Sequence, residues 1–126
     1  MSMTRSSAKP PIVLVVDDEA LLRLHAVDAL EQAGCRTLEA SGAAEALAQL
    51  EAHPEISVLF TDIQMPGPND GLWLARRLNE RRPDIQVIIT SCRARPSQSD
   101  MPPDSRFVSK PYDSGAVARL IRAVAA

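Results

Sequence analysis

The sequence predicts an α/β fold, a doubly wound parallel sheet of five strands with helices on both faces. Two observations predict it. Short runs rich in Val and Ile alternate five times with segments of helical period or turn chemistry. The first run, PIVLVV, is apolar throughout, as a strand covered on both faces requires. A third observation concerns the site: Asp17, Asp18, Asp62, Ser91 and Lys110 each stand at the carboxyl end of such a run. That is where an open α/β sheet gathers its site residues.

The first strand is read at residues 11–16. A helix over residues 19–33 follows, with Leu22, Ala26, Ala29, Leu30 and Ala33 at helical spacing and Gly34 as its stop. Residues 37–40 form a short second strand. Ala43, Ala46, Leu47 and Leu50 mark a second helix at i, i+3, i+4 and i+7, with Ser41 as its expected N-cap. Residues 57–61 (SVLFT) read as the third strand and run directly into Asp62. The stretch MPGPNDG is turn chemistry and leads into a helix over about residues 72–82. Residues 86–90 form the fourth strand, 106–109 the fifth, and 114–125 the last helix, with Val117, Leu120, Ile121 and Val124 on one face. Between strands four and five a helix is due, but Pro96, Pro102 and Pro103 forbid a regular one. At most one or two turns are expected near residues 97–100, with mobility above the average of the domain.

The chain has 126 residues, 45% of them hydrophobic, which suits one compact domain. The polar residues 1–10 read as a disordered tail without the apolar core of a signal peptide, leaving 11–126 as the domain. A net charge of −2 gives no general pull toward nucleic acid or membrane. No apolar run approaches the roughly 20 residues that cross a bilayer. Two cysteines are too few for a secreted disulfide framework, so Cys35 and Cys92 read as reduced thiols of a cytoplasmic protein. Cys92, beside the site, reads as a small buried thiol. His25 and His53 lie at no strand end and are assigned no metal or phosphohistidine role. Arg76, Arg77, Arg81 and Arg82 read as a solvated face of the third helix.

Three carboxylates converging on one crevice repel one another, and something positive must compensate. Mg²⁺ (or Mn²⁺), a hard cation that takes oxygen ligands and bridges to phosphate, suits them. Asp18 and Asp62 are expected to bind it directly and Asp17 through water, with the Gln64 main-chain carbonyl completing the set. Asp62 is also read as a nucleophile that accepts a phosphoryl group. Lys110 then supplies positive charge, the Ser91 hydroxyl a donor, and the Cys92 main-chain N–H a second donor.

The strings LVVDDE (14–19), FTDIQMPGPNDG (60–71), VIITSC (87–92) and FVSKPY (107–112) together resemble the receiver domain of bacterial two-component response regulators. The resemblance spans about residues 12–124. It implies a flavodoxin-like sheet of order 2-1-3-4-5, here with a shortened or irregular fourth helix. It also implies phosphoryl transfer from a histidine kinase or histidine phosphotransfer protein to Asp62, and a cis bond before Pro111. On phosphorylation Ser91 would move toward the phosphoryl group and Phe107 would swing inward, signalling to an unknown downstream protein. The chain departs from the family in three ways. The turn after Asp62 is one residue longer than the commonest form, the switch aromatic is a phenylalanine without a hydroxyl, and the fourth helix is stunted.

The expected protein is therefore a monomer or weak dimer that is no metabolic enzyme and catalyses only its own phosphorylation and dephosphorylation. With the chain ending at Ala126, it is expected to signal by protein–protein contact without an output domain. The alternatives are a phosphate-independent interaction module and a phosphate sink or relay. A phosphohydrolase of the haloacid dehalogenase type would need a second aspartate where Gln64 stands.

Overall fold

The computed structural model describes residues 10–93 and 95–125. The tail expected at residues 1–10 lies, but for Pro10, outside the described residues. Five parallel strands form one sheet in the order β2-β1-β3-β4-β5, with β1 Ile12–Val16, β2 Arg36–Ala40, β3 Val58–Asp62, β4 Gln86–Ser91 and β5 Arg106–Ser109. Among the described residues four α-helices connect or follow them: α1 Ala20–Gln32, α2 Ala43–Ala52, α3 Gly71–Arg81 and α4 Ser114–Ala125. The predicted fold class holds, and element boundaries fall within one residue or two of those read from the sequence, the connection between β4 and β5 included.

Two-residue alternation divides the core. Ile12, Leu14 and Val16 of β1 join Leu59, Ile89, Ala46, Leu74 and Leu78 under α2 and α3. Val13 and Val15 face the other way, joining Val58, Phe60, Ile88, Leu30, Val117 and Ile121 under α1 and α4. All five residues of β1 and of β3 are buried, which explains their unbroken apolar runs.

Helix ends show where side chains decide the local fold. Gly34, at φ 92°, closes α1: its N–H donates to Glu31 O (3.0 Å) while the Cys35 N–H donates to Leu30 O (2.9 Å). Asp70 caps α3 by accepting from the Trp73 N–H at 2.9 Å. At α2 the expectation is corrected: Gly42, not Ser41, holds the cap position. Ser41 lies one residue too early, because the Glu45 carboxylate reaches back and accepts from both its N–H (2.6 Å) and its hydroxyl (3.0 Å).

Among the described residues between β4 and β5 there is a single 3₁₀ turn, Gln98–Asp100, in place of a helix. Met101 pins it to the core at 4% exposure, and the Arg76 guanidinium donates to Asp100 O at 3.0 Å.

Candidate phosphoacceptor site

Parallel register brings the site to one edge of the sheet. Asp62 is the last residue of β3 and pairs with Thr90; Ser91 ends β4 and pairs with Ser109 of β5, so Lys110 follows directly. Three main-chain bonds lock these ends: Ile63 N–H to Thr90 O (2.9 Å), Lys110 N–H to Ser91 O (2.9 Å) and Asp17 N–H to Ala40 O (3.1 Å). The acids thus meet because the ladder holds them there, against their mutual repulsion.

Lys110 is the compensating charge. Its Nζ lies 2.9 Å from Asp62 Oδ2, 3.3 Å from Asp17 Oδ2 and 3.5 Å from Glu19 Oε1. The Lys110, Asp17 and Asp62 side chains are 10%, 5% and 4% exposed, so water screens this network little. Burial pushes the Asp62 carboxyl above its usual value, and the Lys110 ammonium only partly offsets that rise. Burial pulls Lys110 down, but Asp62 and Asp17 more than restore it, and its net shift is upward. The cation is therefore permanent and the buried carboxylate strained toward its neutral form.

Main-chain donors orient the acids further. Asp17 Oδ1 accepts from the Glu19 N–H at 2.9 Å, and Asp62 Oδ1 from the Gln64 N–H at 3.3 Å. Asp18 is exposed, yet one carboxylate oxygen each from Asp17, Asp18 and Asp62 lies within 4.8 Å of the others. Hard oxygen donors crowded beyond what one ammonium neutralises suit a divalent cation such as Mg²⁺.

The remaining residues sit around this centre. The Ser91 hydroxyl is fully buried; it donates to Gln64 Oε1 (2.8 Å) and accepts from the Arg93 N–H (3.0 Å). Thr90, its neighbour, is buried with no partner for its hydroxyl among the described residues. Phe107 is half-buried against the core cluster that contains Met101, with the Arg95 guanidinium 5.9 Å from its ring centre. The Lys110–Pro111 bond is cis. Cys92 corrects the expectation: it is exposed, because it follows the last residue of β4 and leaves the sheet.

Three contributors escaped the sequence reading. Glu19 is a third carboxylate on Lys110, although it stands in the quoted string LVVDDE. Tyr112 packs edge-on against Phe60, centroids 5.5 Å apart, and burial with the nearby Asp17 charge pushes its hydroxyl up to about 12. Gly71 is the third: a Cβ there would overlap the Asp62 carbonyl oxygen and lie 2.7 Å from its carbon. Only a glycine lets α3 start so close to the acceptor strand. Its position after Asn69-Asp70 was the available signal.

A doubly wound sheet with an acid cluster and a lysine at its carboxyl edge defines the class, and comparison with known proteins agrees. The family described as response regulator receiver domain matches residues 13–122, and the chain belongs to it. Such domains are signalling proteins of two-component systems rather than conventional enzymes. Among relatives, the chain is 36% identical over 103 residues to the response regulator receiver protein CpdR of Brucella abortus, covering 79% of this chain and 84% of that protein. It is 32% identical over 114 residues to the sensor kinase CckA of the same organism, 87% of this chain but only 12% of the kinase. A crystal structure of a response regulator receiver protein from Sinorhizobium medicae superposes with a TM-score of 0.77 at 32% identity, covering 91% of each chain. Among the described residues, no helix is long and apolar enough to cross a membrane.

Proposed function

We propose that this protein is a phosphorylation-dependent signalling switch whose acceptor is Asp62. One observation carries the reading: a largely covered lysine bonds two buried aspartates at the strand edge, and a third acid stands within metal-binding reach. Asp17, Asp18 and Asp62, with the Gln64 main-chain carbonyl, would hold Mg²⁺ (or Mn²⁺). The metal, when bound, adds positive charge against the phosphoryl oxygens and offsets the repulsion between phosphate and carboxylates.

The chain's own residues do the rest. Asp62 supplies the attacking oxygen: its bond to phosphorus forms as the bond from phosphorus to the donor's imidazole nitrogen breaks, giving a mixed anhydride. Lys110, already on Asp62, is placed to follow the charge onto the phosphoryl group. The Cys92 main-chain N–H and the Ser91 hydroxyl are the remaining donors, and Phe107 is the side chain expected to respond. The donor is a histidine kinase or histidine phosphotransfer protein, and residues 11–126 act as one receiver unit, cytoplasmic and monomeric or weakly dimeric. Its output is contact with another protein, with phosphate relay as the variant use of the same site.

Incubation with Mg²⁺ and acetyl phosphate, followed by intact-mass measurement, tests this. The native chain should gain one phosphoryl group and an Asp62→Asn variant none. Equal gain in both would move the acceptor elsewhere, and gain in neither would remove the reading.

A further inference from the structure

Ser91 carries a hydroxyl at the pocket edge, and its hydrogen bonds do not go to Asp62. Its oxygen accepts from the Arg93 N–H at 3.0 Å, and its proton goes to Gln64 Oε1 at 2.8 Å. Ser91 is fully buried, so no water can take that proton, and a buried hydroxyl left without an acceptor is costly. Gln64 is half-buried and its side-chain amide can meet water when released. Its backbone is fixed: the preceding Ile63 N–H donates to Thr90 O at 2.9 Å, and its own N–H donates to Asp62 Oδ1 at 3.3 Å. The side chain therefore bridges from the end of β3 to the end of β4, spanning the gap across which the pocket would signal.

We infer that Gln64 is a latch on Ser91. It holds the hydroxyl away from Asp62 in the resting protein, and a phosphoryl oxygen must compete with its Oε1 for that one proton. This rests on the receiver reading of the site. The exchange is two-state, because the proton has one acceptor or the other and Ser91 has no solvent alternative. An anionic phosphoryl oxygen wins, since charge-assisted bonds are the stronger kind. The strength of the Gln64 bond then sets how much of the chain rests in the active arrangement before any phosphoryl group arrives. Gln64 acts through Ser91 and is a positioning residue.

Beryllofluoride with Mg²⁺, a stand-in for a carboxylate-bound phosphoryl group, provides the probe. Gln64→Met keeps the length and removes the acceptor. By the worth of one net hydrogen bond, it should bind beryllofluoride roughly 3- to 10-fold more tightly than the native chain. Without ligand, the Ser91 and Arg93 amide resonances of the variant should move part-way toward their loaded positions. In an Ser91→Ala background the same Gln64→Met change should leave affinity unaltered, which a merely structural role for Gln64 would not produce. Equal or weaker binding by Gln64→Met beside a native chain that binds overturns the latch and leaves the receiver reading standing. So does a gain that persists without the Ser91 hydroxyl. Failure of the native chain to bind beryllofluoride or accept a phosphoryl group from acetyl phosphate overturns both.

Discussion

The strand-edge pocket and the β4–β5 connection lie side by side and are built by opposite means. At the centre of the pocket the charged side chains have several partners each: Lys110 meets three carboxylates, and Asp17 and Asp62 each accept a main-chain N–H as well. The ladder bonds beneath it fix where those groups stand. The described residues of 92–105 have no ladder. They carry three prolines and one 3₁₀ turn, with Asp104 at φ 65°, and the buried Met101 and Pro102 are their main hold on the core. Placement is thus over-determined where charges must be forced together and sparsely anchored where only a connection is required.

The largest expected effect comes from the pocket side. Gly71→Ala should destabilise the fold by about 3 kcal/mol, because the new methyl meets main chain at Asp62 and Ile63 rather than a side chain that could rotate away. The Gly71 N–H donates to Ile63 O at 3.0 Å, so the helix start cannot drift off without losing that bond. Urea denaturation measures it; a loss under 1 kcal/mol would show that the pocket floor yields.

The connection should break at one residue. Met101→Ala should cost about 2 kcal/mol, at the low end for a buried methionine, since a loop can settle into part of the cavity. Hydrogen exchange should accelerate across residues 95–105 and stay unchanged in β3. Spread of the exchange into β3 would mean that the two regions share one cooperative unit.

The same contrast explains what could be read beforehand. Strands, helices and the residues at strand ends were legible because period and position fix them: PIVLVV can only be a covered strand, and the residue after it must reach the carboxyl edge. The prolines likewise foretold the missing helix. Glu19 on Lys110, the Ser91–Gln64 bond and the exposure of Cys92 were not legible. They depend on how far a side chain reaches across strands that are distant in sequence. The Ser41 cap failed for a related reason, since the carboxylate of Glu45, four residues on, takes the Ser41 N–H and hydroxyl as its own donors.

Asp62→Asn should stabilise the protein at pH 7 by about 1 kcal/mol, the scale on which functional sites hold strain. Burial raises the Asp62 carboxyl above 3.8, so the folded chain binds more protons than the unfolded one in the window just above that value. Stability therefore falls as pH rises through the window, and ionised Asp62 is a penalty at neutral pH. The amide removes the penalty, and Lys110 keeps Asp17 and Glu19 as partners. Melting curves between about pH 4 and pH 7 should show a smaller fall in the variant than in the native chain.

The smallest effect tests whether the connection touches the pocket's proposed response at all. Arg95, from the connection, stands 5.9 Å over the Phe107 ring, and both are partly open to water. An exposed cation–π pair is worth about 0.5 kcal/mol, so Arg95→Ala should hardly change stability. Its value lies in the aromatic resonances of Phe107. If the ring is held by the core cluster around Met101, they should shift only by loss of the nearby charge, and beryllofluoride affinity should match the native chain. A changed affinity would make the loose connection a governor of the rigid pocket, acting through the Phe107 ring over which Arg95 stands.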